Sequence, residues 1–147
     1  MKVIFLDCDG VLNSQVGGFG TPNEDKVERV RNIVKETGAK LVLSSSWRYG
    51  KFYNEGSYVK SLYDCLITCL EQYGLELYSS TPIEGKRRGK EIEDWITNCG
   101  ENIESFIILD DDDDMEPYMD RLVQTDYRIG LQEKDVISAI EKLKGVK

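Results

Sequence analysis

The chain predicts a doubly wound α/β fold: a Rossmann-like parallel sheet of about five strands with helices on both faces. Three observations lead there. Short continuous apolar runs, such as Val3-Ile4-Phe5-Leu6 and Phe106-Ile107-Ile108-Leu109, read as strands buried on both sides. These runs alternate with segments of helical periodicity, the pattern of βαβ crossovers. Three of the runs empty into polar residues of particular chemistry, as strands do at the crevice of an open parallel sheet.

The first strand covers residues 2–6, and a loop over residues 13–21 follows with Gly17, Gly18 and Gly20. Thr21-Pro22 reads as a cap with proline in the first turn of a helix. Val27, Val30, Ile33 and Val34 recur at helical spacing until Gly38 stops it. The second strand, residues 40–43, ends in Ser44-Ser45-Ser46-Trp47-Arg48. Residues 49–57, rich in glycine, aromatic and basic side chains, form a loop before a helix over 58–73 that buries Val59, Leu62, Leu66 and Leu70. A third short strand spans 75–78. After a loop at 79–85, a helix over 88–98 turns Ile92, Trp95 and Ile96 inward. The fourth strand, 106–109, runs into the consecutive aspartates Asp110 to Asp114. A short fifth strand, 121–125, precedes a closing helix over 133–143. No internal repeat, long linker or second domain interrupts this order, so residues 1–147 are expected to form one domain.

Composition narrows the function. At 147 residues the chain is long enough to bury a core without disulfide or metal staples. Its 40% hydrophobic and 31% charged residues are those of a globular protein, and no segment approaches a membrane span. The apolar start is too short for a signal peptide and runs straight into acids. The expected location is therefore cytoplasmic, with no membrane and no evident protein partner. A formal net charge of −8 argues against broad attraction to nucleic acid or anionic lipid, though not against a local basic groove. The cysteines Cys8, Cys65, Cys69 and Cys99 form no CxxC pair, so neither a zinc site nor a redox motif is indicated. Cys8, Cys65 and Cys69 are read as core residues. With no histidine in the chain, acid and base work falls to carboxylates, lysines, tyrosines or cysteines.

The most informative segment is Asp7-Cys8-Asp9-Gly10-Val11-Leu12. Alternation along a strand lets residues i and i+2 face the same way, so both acids point into one site. Gly10 lets the chain turn sharply after them. One acid can stay ionised as nucleophile and metal ligand while the other, raised in pKa by its neighbours, carries a proton. A carboxylate beside a hard divalent cation such as magnesium can attack phosphorus. Asp7 suits the nucleophile, and Asp9 the general acid and base. Ser44, with Ser45 beside it, offers hydroxyl and backbone N–H groups to phosphoryl oxygens. Lys86, Arg88 and Lys90 all lie near the start of a helix, where a cation would neutralise developing charge. The aspartates after the fourth strand complete a metal site, the first two being nearest the strand's fixed end.

Taken in order, Asp7-Cys8-Asp9-Gly10-Val11-Leu12, Ser44, the basic helix start around Arg88, and Asp110-Asp111 resemble the motifs of the haloacid dehalogenase (HAD) superfamily of aspartate-nucleophile phosphotransferases. More narrowly, Leu43-Ser44-Ser45-Ser46-Trp47-Arg48, Arg88-Gly89-Lys90-Glu91-Ile92-Glu93-Asp94-Trp95-Ile96 and Ile108-Leu109-Asp110-Asp111-Asp112 look like a small HAD group. That group includes phosphatase domains of RNA repair proteins. The resemblance implies a Mg2+-dependent phosphomonoesterase that works through an aspartyl phosphate. Its substrate would be a phosphorylated small molecule or a nucleotide or polynucleotide end. Asp7 would be nucleophile and metal ligand, and Asp9 general acid/base and a ligand through its main-chain carbonyl. Ser44 would bind phosphate, and Asp110 or Asp111 would supply the remaining carboxylate. The third motif is usually lysine in the superfamily, so here the role falls to Arg88, Lys86 or Lys90. The loop at 13–21 has no room for a folded cap, which implies a minimal cap or none. The aromatic and basic residues Trp47, Arg48, Tyr49, Lys51, Phe52 and Tyr53 are those a stacking surface for bases would use. A small-metabolite phosphatase or phosphotransferase would use the same site. From a different class, a non-catalytic phosphoacceptor or metal-binding regulatory module would also place acids at strand ends, but it needs no acid at Asp9.

Overall fold

The structure, a computed structural model, describes residues 1–54 and 56–145. Position 55 within the loop read at 49–57, and positions 146 and 147 of the expected domain, lie outside the described residues. Five strands, β1 (Lys2–Leu6), β2 (Lys40–Leu43), β3 (Leu77–Ser80), β4 (Ser105–Asp110) and β5 (Leu122–Gln124), form an all-parallel sheet in the order β3-β2-β1-β4-β5. Four helices, α1 (Glu24–Thr37), α2 (Tyr58–Gln72), α3 (Arg88–Asn98) and α4 (Glu133–Lys144), cover both faces. The doubly wound architecture is therefore the one the apolar runs predict. Strand order reverses between β1 and β4, which opens a crevice at their carboxyl ends.

Alternation along the strands sorts the sheet's two faces. Ile4, Leu6, Leu41, Leu43, Ile107 and Leu109 face a large core with Val27, Val30 and Ile33 of α1, Leu66 and Leu70 of α2, and Val136, Ala139 and Leu143 of α4. Val3, Phe5, Val42 and Ile108 face a smaller core under Ile92 and Trp95 of α3. Cys8 continues the first row and is fully buried in the large core, as expected. Cys65 and Cys69 are only half-buried on α2, at the core's margin rather than inside it.

The local differences have identifiable causes. Asn23, not Thr21, occupies the cap position of α1, and its backbone N–H is tied to Leu12 O. The third strand begins two residues later than the pattern suggests. Gly74 takes φ 70° in the turn, and Leu75 donates back to Leu70 O, so Leu75 packs as part of the helix exit. The segment after β2 is not open loop: Ser46–Phe52 forms a 3-10 helix whose first turn is capped by Ser45 Oγ, which accepts from Trp47 N. Among the described residues, no helix is long and apolar enough to cross a membrane.

Candidate active site

Strand register sets the site. Leu6 pairs with Leu43 on one side and Leu109 on the other, so Asp7, Ser44 and Asp110 stand in the next row across three neighbouring strands. Each follows the Val3-Phe5, Val42 and Ile108 alternation, which turns all three toward the face that α3 covers. Helix α3 approaches closely because Gly89 has no side chain: a Cβ there would overlap the backbone of Met115 and Glu116. Gly89 N donates to Asp114 O, and Arg88 N to Asp114 Oδ2 at 3.4 Å, so the last aspartate of the run caps the helix start.

This docking brings the Arg88 guanidinium into the acid row. Its Nη1 lies 2.6 Å from Asp110 Oδ2 and 3.2 Å from Asp7 Oδ1. Burial disfavours the guanidinium charge, but Asp7 and Asp110 outweigh it and hold Arg88 firmly protonated. The structure does not bring Lys86 or Lys90 to these acids. Lys86 pairs with Glu84 and Asp94, and Lys90 with Glu93 and Asp94, on the outer side of α3. Of the three cations, position therefore favours Arg88 for the role beside Asp7.

Carboxylate oxygens of Asp7, Asp110 and Asp111 all lie within 4.8 Å of one another. Burial, together with the Asp110 charge, pushes the Asp7 carboxyl well above its ordinary value, although Arg88 pulls it back. Burial likewise pushes Asp110 up to about 6 against the pull of Arg88. Such crowding is relieved by a cation. The three donors are hard oxygens, which suits magnesium. Gly10, at φ 82°, makes room for the third of them, since a Cβ there would lie 2.5 Å from Asp111 Oδ2. The residues present thus fit a divalent ion of this kind. The aspartate run resolves into separate duties: Asp110 and Asp111 join the cluster, Asp112 N donates to Asp110 Oδ1 at 2.9 Å, and Asp114 caps α3.

Asp9 stands apart from the acid cluster and is exposed. Its Oδ1 accepts from Asn13 Nδ2 at 2.9 Å and its Oδ2 from Trp47 Nε1 at 3.1 Å. Asn13 in turn accepts from Gly10 N, so one buried amide ties the turn to the acid. Sequence reasoning missed Asn13, and it offered Trp47 for stacking rather than as a partner of Asp9. The spacing Asp9-x-x-x-Asn13 was the available signal, but nothing local ties Trp47 to an acid 38 residues away.

Ser44 Oγ is buried and makes no hydrogen bond among the described residues. An orphan hydroxyl beside an acid cluster is what a phosphate-binding serine would offer before its ligand arrives. Ser45 is committed elsewhere, to capping the 3-10 helix and contacting the Cys8 thiol. That thiol is buried and pushed up by burial and then by Asp7, which disfavours the reactive thiolate. Arg48 does not reach the crevice either. It is fully buried, bonded to Thr81 O, Ser44 O and Ser45 O, and paired with Glu91 Oε1 at 3.0 Å. The expected stacking surface is reduced accordingly, because Trp47 and Arg48 are buried while Phe52 and Tyr53 are exposed.

An all-parallel α/β sheet with its acids and the Arg88 guanidinium at the switch point fits a HAD-type domain of Rossmann-like architecture. The chain belongs to the family described as the HAD domain in Swiss Army Knife RNA repair proteins, whose model matches residues 3–136. Membership places it in a HAD-type phosphatase family that generally uses a divalent metal. Comparison with curated proteins and with solved structures gave no significant match.

Proposed function

We propose that this protein is a Mg2+-dependent phosphomonoesterase that acts through an aspartyl phosphate on Asp7, with nucleotide or polynucleotide ends as its substrates. The observation that carries this reading is the separation of the two acids. Asp7 lies inside the cluster with Asp110, Asp111 and Arg88, while Asp9 stands outside it, exposed and oriented by Asn13 and Trp47. A hydrolase needs this second, independently held acid, and a phosphoacceptor module does not. The family's description as a domain of RNA repair proteins supports the substrate class.

Asp7, Asp110 and Asp111 would hold the magnesium, together with the Asp9 main-chain carbonyl. When bound, the ion supplies Lewis-acid charge to the phosphoryl oxygens and keeps these carboxylates ionised. Asp7 attacks phosphorus through a carboxylate oxygen as the bond to the leaving oxygen breaks, and Asp9 gives that oxygen its proton. Asp9, now ionised, takes a proton from water as the water attacks the aspartyl phosphate. Inorganic phosphate leaves and both aspartates return to their starting states. Ser44 donates its hydroxyl to a phosphoryl oxygen, and Arg88 balances charge on Asp7 and the transferring group.

Hydrolysis of a generic aryl phosphate with magnesium tests this directly. Asp7→Asn should abolish turnover, and Asp9→Asn should reduce kcat by about 100-fold or more, the usual worth of a positioned acid-base group. A panel of 3′-phosphate, 5′-phosphate and 2′,3′-cyclic ends, mononucleotides and sugar phosphates would identify the substrate. Absence of magnesium-dependent hydrolysis across that panel would sink the enzyme reading.

A further inference from the structure

A pocket of about 370 Å³ opens beside Asp9, lined by Phe19, Gly20, Trp47, Tyr58 and Leu62. Two of its walls are aromatic rings left largely in solvent, Phe19 at 52% and Tyr58 at 73% exposure. The backbone near each is anchored. The 13–21 loop is pinned by Gln15 N and Val16 N, which donate to Tyr127 O and Arg128 O. Gly20, at φ 103°, then turns that loop toward α2, so that a Cβ there would lie 3.9 Å from Tyr58 Oη. Ser57 caps α2 and fixes Tyr58 as its first residue. Between them, Trp47 presents the indole whose Nε1 donates to Asp9 Oδ2. The lining holds one carboxylate, Asp9, and no lysine or arginine.

We infer that this pocket receives the leaving group, and that its occupant is a planar uncharged ring: the base of the terminal nucleotide, stacked between Phe19 and Tyr58. The inference rests on the phosphatase reading above. Asp9 must reach the leaving oxygen to protonate it, so whatever carries that oxygen departs on the side of the cluster where Asp9 stands. That side is this pocket. Its walls offer faces for stacking and no cation for a second phosphate, which favours a base over a polyphosphate or a bis-phosphorylated sugar. The stacking surface is thus built from residues 39 positions apart in the chain rather than from the contiguous segment after β2.

The test compares kcat/KM for nucleoside monophosphates, a short oligonucleotide with the same terminal base and phosphate, and a base-less ribose phosphate. These are measured in the wild type, Phe19→Ala, Tyr58→Ala and Tyr58→Phe. The wild type should prefer the base-bearing substrates. Each alanine variant should narrow that preference by about ten-fold, within the usual worth of one stacked base, and Tyr58→Phe should retain it. Preference for the oligonucleotide identifies a nucleic-acid end as the source, and preference for the mononucleotide a free nucleotide; either supports the ring site. An unchanged ratio in both alanine variants overturns it. If no phosphate is hydrolysed, the phosphatase reading fails separately. The ring site is then decided by adenosine quenching of Trp47 fluorescence in a Trp95→Phe background: quenching lost in Phe19→Ala supports the pocket, and no quenching in the parent refutes it.

Discussion

Asp7 and Asp9 are two residues apart in the chain yet stand in different surroundings, and the difference comes from who reaches them. Arg88 arrives from α3 to contact Asp7, whereas Trp47 and Asn13 arrive from the other side to hold Asp9. The Trp47 bond orients an acid without touching the phosphoryl group. Trp47→Phe should therefore lower kcat by up to about ten-fold, the worth of one such bond, with KM nearly unchanged, as steady-state kinetics on an aryl phosphate will show. Arg88 acts on charge rather than position alone, so Arg88→Lys should keep more activity than Arg88→Ala. Equal loss in the two variants would argue that guanidinium geometry, not charge, is what the site requires. The acids' identity was legible in the Asp-x-Asp-Gly pattern. Their partners were not, because hydrogen-bonding reach across a crevice leaves no mark on local spacing.

The segment after β2 and the helix α3 are joined by a buried ion pair, Arg48 to Glu91 at 3.0 Å, in which Glu91 Oε2 also accepts from Glu84 N. The pair locks the 3-10 helix, which carries Trp47, to the helix that carries Arg88. Removing one partner leaves the other buried and uncompensated. Glu91→Ala should therefore cost about 3–5 kcal/mol of stability, measured by urea denaturation, and should displace both Trp47 and Arg88. Gly89 acts on the same contact by size. Gly89→Ala would push α3 off the Met115-Glu116 backbone, so activity should fall because Arg88 withdraws from Asp7 and Asp110. Helix α3 matched the sequence reading at both ends, since its apolar face at Ile92 and Trp95 is a local pattern. The function of Arg48 and Glu91 was hidden, because a charged residue reads as solvated until its partner is known.

Stability of the full fold should answer to pH and metal together. Burial raises the carboxyls of Asp7 and Asp110 above their unfolded values, Asp110 to about 6. The native state therefore holds more protons than the unfolded chain across this range. Without metal, the destabilising effect of Asp110 is absent below the ordinary aspartate value of 3.8, grows as pH rises, and is full once it has ionised above about 6; Asp7 acts in the same direction. Magnesium binds the ionised acids and opposes this. Thermal melts should show a larger Mg2+-dependent rise in Tm at pH 7.5 than at pH 5, and EDTA should erase it. A rise equal at both pH values would mean that the cluster is not the binding site.

The order of elements, the parallel sheet and the presence of acids and a serine at three strand ends follow from the chain alone, because alternation and helical period are local properties of a backbone. Local pattern also shows that no histidine can serve. Folding made the remaining choices. It brought Arg88 rather than Lys86 or Lys90 to the acids, divided the aspartate run between the acid cluster and a helix cap, and placed Phe19 and Tyr58 in one pocket with Asp9. Each of these depends on which distant side chains share one crevice, and that is a consequence of strand order and helix packing rather than of sequence neighbourhood.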